Sequence, residues 1–213
     1  MTDAKSEILG RIRASLWDSP QPAEPVRTYR RVSDKGQEEI IEILVDRLID
    51  YKANVYHETA ETIAGRIDEL LAKASRYVVP TGLDAAWLPE DTASRSAVTD
   101  SGNADKPGVL SVRELDAVDA VVTSSTVSCA ETGTIALNSN PAEGRRAITL
   151  VPDHHICVVP VETIVELIPE TVARLDIEKP ITWISGPSAT SDIELIRVEG
   201  VHGPRTLDVI ILK

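Results

Sequence analysis

Apolar positions recur at helical spacing in the first third of the chain and condense into short β-type runs in the second half. Residues 3–17 set Ile8, Leu9, Ile12 and Leu16 on one stripe, which predicts a short amphipathic helix. Residues 18–31 carry three prolines and read as an extended linker. From about Ser33 to Tyr51 a second stripe of Ile40, Leu44 and Leu48, broadened by Ile41 and Val45, predicts a helix with Ser33 or Asp34 as its cap. A third helix is expected from Thr59 to Ala74, with Ile63, Ile67, Leu70 and Leu71 inward. Tyr77–Pro80 reads as a strand closed by the Thr81-Gly82 turn, residues 84–106 give no firm signal, and Val109–Val112 is expected as another strand.

Beyond Ala117 the strand signals become dense. Ala117–Thr123, Thr134–Asn138, Ala147–Pro152, Ile156–Pro160, Ile181–Ser185 and Leu207–Leu212 all read as strands, and 161–175 as one helix in which Pro169 is a kink or break. Several of these runs are apolar throughout, as in a sheet covered on both faces. The expectation is an α/β fold in one domain (32–213), with a mixed or parallel sheet flanked by helices and an N-terminal helical arm (1–31).

Composition narrows the functional classes. At 213 residues there is room for one sizeable core, and with no Phe it must be built from Ile, Val, Leu and Ala. A net charge of −12 argues against nucleic acid and against anionic membrane surfaces. No apolar run is long enough for a membrane span, and the N-terminus lacks a signal-peptide core, so a cytoplasmic protein is expected. Two cysteines, Cys129 and Cys157, make neither a disulfide framework nor an iron–sulfur site. His154 and His155 are adjacent, so on a strand they point to opposite faces and cannot share a metal; no metal is expected in this chain.

The candidate chemistry lies in three segments. Between Thr123 and Leu137, seven of fifteen residues carry a hydroxyl and Glu131 is the only charge. A carboxylate in such a turn can act as nucleophile, general base or ligand acceptor, or can simply accept turn N–H groups. Gly133 would let a backbone approach closely. Ser185–Glu194 follows an apolar strand and offers Gly186, Ser188, Thr190 and Asp192 either to a small ligand or as helix caps. It has neither the P-loop nor the dinucleotide glycine pattern, so neither ATP nor NAD is indicated. Arg145 and Arg146 can clamp a carboxylate or a phosphate, Arg205 is a further cation, and His202 between two glycines is the better exposed proton-transfer candidate; salt bridging on the surface is the plainer role for each arginine.

Together these segments resemble the lactate utilization protein C family, the LutC/YkgG-type proteins of the LUD domain. The matching residues are A-E-T-G-T-I at 130–135, G-R-R-A-I-T-L-V-P-D at 144–153, H-I-C-V-V at 155–159, S-G-P-S-A-T-S-D-I-E at 185–194 and V-E-G-V-H-G-P-R at 198–205. The resemblance implies a Rossmann-like fold of the NagB/RpiA/CoA-transferase kind. It also implies a part in bacterial oxidation of L-lactate to pyruvate beside iron–sulfur partner proteins. The cofactors would then sit on those partners, and this chain would bind a small carboxylate such as lactate or pyruvate or organise the complex; self-association is left open. Two other readings stay open: a stand-alone isomerase or CoA-transferase-like enzyme with Glu131-Thr132-Gly133 at its centre, and a purely structural or regulatory subunit.

Overall fold

The computed structural model describes residues 3–17, 23–102, 108–191, 197–199 and 203–213. Its elements, in chain order, are α1 (Ala4–Leu16), α2 (Gln37–Asp50), β1 (Asn54–Glu58), α3 (Ile63–Leu70), β2 (Arg76–Pro80), β3 (Ser96–Asp100), α4 (Val112–Asp116), β4 (Ala120–Thr123), β5 (Val127–Cys129), β6 (Thr134–Leu137), β7 (His154–Pro160), β8 (Ile164–Val165), α5 (Ile168–Ala173), β9 (Thr182–Ile184), β10 (Ala189–Ser191), β11 (Arg197–Glu199) and β12 (Thr206–Leu212).

The architecture is α/β. Six strands form one sheet in the order β1-β12-β7-β4-β2-β3, parallel at every pairing. Antiparallel pairing is found in a four-stranded sheet, β8-β5-β6-β9, and in the β10–β11 pair. Alternation along β7 explains why its run is apolar throughout. Cys157 and Val159 face α2 and the smaller sheet, packing with Leu44, Leu48, Ile135 and Ile164, while Ile156 and Val158 face α3, packing with Ile63 and Ile67.

Three expectations from the sequence are corrected. Residues 161–175 do not form one helix. A 3-10 turn at Val161–Thr163 leads into β8, which pairs with β5, and α5 starts only at Ile168 with Pro169 in its first turn, where the missing N–H costs nothing. Ala147–Pro152 is not a strand; Arg146–Thr149 is a 3-10 turn that buries Ile148 against Val78, Leu115 and Val121. Val109–Val112 is not a strand either, because Ser111 and Glu114 close a capping box at the start of α4. The edge strands β1 and β3 escaped the sequence reading because one side of each lies open and their residues mix polar with apolar.

The helical arm is present, but none of α1 is buried: Ile8 is 58% and Leu16 61% exposed. No described helix is long and apolar enough to cross a membrane. The segment after the arm is tied down. Ser33 does not cap α2, which starts at Gln37 behind Gly36. Its hydroxyl instead donates to the buried Glu166 carboxylate at 2.5 Å, and its N–H donates to Glu170 at 3.2 Å.

Two glycines seat the smaller sheet on the end of α2. Gly133 has φ +60° and a Cβ there would lie 2.7 Å from Arg47 Cβ; Gly186 has φ +82° and a Cβ there would lie 2.7 Å from Tyr51 Cβ and 2.8 Å from its carbonyl oxygen. The close approach allowed by Gly133 is therefore to this protein's own helix. Gly133→Ala and Gly186→Ala are each expected to destabilise the protein by about 2–4 kcal/mol, combining left-handed strain with overpacking. Urea unfolding measures this; a loss below about 1 kcal/mol would mean that α2 yields to the new methyl group.

Candidate functional site

Between the two sheets, a cavity of about 210 Å³ is floored by His155 and Leu207 of the large sheet. Ile184, Ser185, Gly186 and Ser188 wall one side, and Arg146 and Thr149 the other. At ~30 Å³ per water this is room for roughly seven waters, which suits a small acid. Each wall has a local cause. The Ser188 N–H donates to the Pro204 carbonyl at 2.8 Å and closes the rim. Ser185 and Thr134 hydroxyls lie 2.8 Å apart and tie the turn to β6. The 3-10 turn at 146–149 is pinned through buried Ile148, and the Thr149 hydroxyl donates to the Arg146 carbonyl at 3.1 Å.

His155 is buried, and its Nε2 lies 2.8 Å from the Thr123 hydroxyl. Burial pushes its pKa down to about 3, so the ring is neutral at ordinary pH. A base that weak is a poor match for proton abstraction near neutrality. It serves better as a neutral hydrogen-bonding wall.

Arg146 supplies the charge. Its guanidinium donates to the Thr149 hydroxyl at 3.2 Å, and among the described residues no carboxylate pairs with it. The residue as a whole is exposed, yet enough of the guanidinium is shielded for desolvation to lower its pKa from the ordinary arginine value. It stays cationic.

The other candidates divide. Gly186 and Ser188 join Arg146 at the cavity, and Thr190 lies just beyond on β10. Asp192 and His202 lie outside the described residues. Arg205 pairs with Asp153 at 2.5–2.8 Å on the surface, with both side chains more than half exposed, a kind of pair that contributes little. Glu131 sits apart, in the turn between β5 and β6, where the arm's Arg30 donates to it at 2.7 Å and reaches Glu166 at 3.4 Å. It lines a separate, more apolar depression with Tyr29, Leu167, Ile168 and Val172.

Arg145 is occupied. Its Nε and Nη2 donate to both oxygens of Asp100 at 3.0 and 2.8 Å, and Nη2 also donates to the Leu110 carbonyl at 2.5 Å. Asp100 is 1% exposed and also accepts from the N–H groups of Gly102 and Leu110. Burial pushes its carboxyl pKa up, but Arg145 and these N–H groups outweigh that and hold it below 3.8. Sequence reasoning missed His155 and Thr149 as wall residues. The available signal was period-two alternation, which puts His155 on the same face as Cys157 and Leu207.

A depressed carboxyl contributes stability above its unfolded pKa that is lost as pH falls through the folded value. Arg145→Ala should therefore cost about 3 kcal/mol at pH 7, since it strands a buried carboxylate. The cost should shrink as pH falls through the depressed folded pKa of Asp100 and the carboxylate protonates. Denaturant titrations at pH 7 and pH 3 measure the difference; an equal loss at both would show that the pair is not its source.

Comparison with known proteins places this geometry. The LUD domain family profile matches residues 41–212. Lactate utilization protein C of Deinococcus radiodurans is 42% identical, over 99% of this chain and 96% of that one. Lactate utilization protein C of Bacillus subtilis is 27% identical, over 83% of this chain and 79% of that one. A crystal structure of a DUF162 family protein from Deinococcus radiodurans aligns with a TM-score of 0.69 at 39% identity, over 84% of this chain and 99% of that one. A chain matched this fully, with this α/β sheet, belongs to the LUD domain family, in its lactate utilization protein C branch.

Proposed function

We propose that this chain is the small-carboxylate-binding subunit of a cytoplasmic system that oxidises L-lactate to pyruvate, acting with iron–sulfur partner proteins. The observation that carries the reading is Arg146, a cation without a carboxylate partner among the described residues, at the wall of a cavity sized for a small acid. The name of its relatives, lactate utilization protein C, supports lactate or its oxidation product as the acid.

In this reading Arg146 pairs the substrate carboxylate, and neutral His155, held by Thr123, hydrogen-bonds the hydroxyl or keto oxygen. Leu207 and Ile184 face its methyl group and exclude water. Electrons pass to the partners. The chain's two cysteines, Cys129 and Cys157, are both buried, and two cysteines do not make up the ligand set of an iron–sulfur cluster. The alternative, Glu131 as an acyl acceptor, gains nothing from its surroundings, since Arg30 holds the carboxylate outside the cavity.

Calorimetry of the full chain with L-lactate and with pyruvate is expected to show saturable binding. Arg146→Gln should weaken it by about 1.5–3 kcal/mol, roughly 10- to 150-fold, while Glu131→Gln leaves it unchanged. In extract lacking the chain, lactate-dependent dye reduction should return on adding the native protein and not the Arg146→Gln variant. Binding that ignores Arg146, or that follows Glu131, contradicts the reading.

A further inference from the structure

The helical arm carries a surface that its own chain leaves uncovered. At helical spacing Ile8, Leu9, Ile12 and Leu16 fall in one sector of about 100°, with Arg11 on one flank and Arg13 on the other. None of the 13 residues of α1 is buried. A single helix of that length is marginal in water, so its apolar sector needs a surface to lie on. Its cations are available as well. The Arg11–Glu7 pair at 2.6 Å is exposed on both sides and contributes little, and Lys5 and Arg13 have no carboxylate partner among the described residues.

Two apolar faces of the body compete for this helix, and charge separates them. One is the depression beside Glu131, where Leu167, Ile168 and Val172 meet Arg30 and Arg31. A cationic rim opposes a cationic helix. The other is a groove between α2 and the edge strand β1, formed by adjoining hollows of about 330 and 370 Å³ that share Ile41, Glu42 and His57. Its floor is Ile41, Val45 and Ile49, the last of them 54% exposed. Its α2 rim is the row Glu38, Glu42 and Asp46, each one turn from the next. Among the described residues no Lys or Arg pairs with Glu38 or Glu42; Asp46 meets its neighbour Arg47 at 3.3 Å, and Lys213 stands at one end of the groove. From Glu38 to Ile49 α2 rises about 17 Å and from Ile8 to Leu16 α1 rises about 12 Å, so the stripe fits along the groove. The outer side of β1 has no strand partner, and a covering helix is a common shield for such an edge.

We propose that α1 docks in the α2–β1 groove of a second copy of this chain, so that two copies exchange arms in a closed dimer. The apolar sector lies on Ile41, Val45 and Ile49, and a flanking arginine faces the row of carboxylates. The receiving groove belongs to the other copy because the arm runs over a different face of its own. Before entering α2 it lies with Tyr29, Arg30 and Arg31 against α5. It is anchored there by Arg30 on Glu131 and by Ser33 on Glu166. Two-fold exchange uses the contact twice and leaves neither groove open to a third copy.

The test is sedimentation velocity of the full chain over a range of concentrations, followed by disulfide trapping. A monomer–dimer equilibrium is expected. Reversing the arm charges (Arg11→Glu with Arg13→Glu) or the groove charges (Glu42→Lys with Asp46→Lys) should raise the dimer Kd at least about tenfold. Both reversals in one chain should bring it back towards the native value. All four positions are exposed, so the melting temperature should not move. For trapping, an Ile12→Cys chain is mixed with an Ile49→Cys chain; the native cysteines are both buried. Oxidation is expected to join one variant to the other, and neither variant to itself. A chain that stays monomeric overturns the proposal, whether its arm is bare or folded onto its own groove. So does Ile12→Cys joining to itself, which would mean that arms pair with arms, and so does a dimer indifferent to both charge reversals.

Discussion

The contact on which the cavity depends is the approach of the last turn of α2 to two glycines. Arg47 and Tyr51 occupy the space that Cβ atoms of Gly133 and Gly186 would need. Through Gly133 the helix end fixes the β5–β6 turn; through Gly186 it fixes the turn after β9. The smaller sheet is thereby held at one height above β7 and β12, and the gap between the two sheets is the cavity. Leu44 and Leu48 on the buried side of the same helix pack with Ile135 and Ile164, so one apolar stripe holds both layers. A looser contact here would open the wall at Ser185 and Gly186 before it disturbed the large sheet.

Electrostatics then sorts the arginines. Among the described residues several arginines find carboxylates: Arg145 with Asp100, Arg205 with Asp153, Arg66 with Glu58 and Glu69, Arg30 with Glu131 and Glu166. Arg146 has no carboxylate partner among the described residues and stands at the cavity wall. The neighbours Arg145 and Arg146 differ because the 3-10 turn starting at Arg146 sends consecutive side chains in different directions. One goes to a buried aspartate and the other to open volume.

The sequence made much of the fold legible, for physical reasons. Long stripes such as Ile40–Leu44–Leu48 and two-sided runs such as 207–212 have a single economical burial, and both are found where the periodicity puts them. Short apolar runs do not. Residues 147–152 bury Ile148 equally well from a 3-10 turn, and 161–175 hides a two-residue strand because β-branched Ile164 and Val165 serve either periodicity. Ser111 and Glu114 carried a readable capping box that the apolar run at 109–112 obscured. For the site, spacing brought Arg146, Gly186 and Ser188 forward but could not separate them from Arg145 and Glu131, whose partners Asp100 and Arg30 lie 45 and 101 residues away in sequence. Distant pairing of this kind leaves no local pattern.

The most direct test of the account is a crystal structure of the full chain grown with pyruvate. The account predicts electron density for the acid between the two sheets, with its carboxylate within hydrogen-bonding distance of the Arg146 guanidinium and its keto oxygen turned towards His155. An acid bound instead at Glu131 beneath Arg30, or a cavity filled only with water at saturating pyruvate, would contradict it.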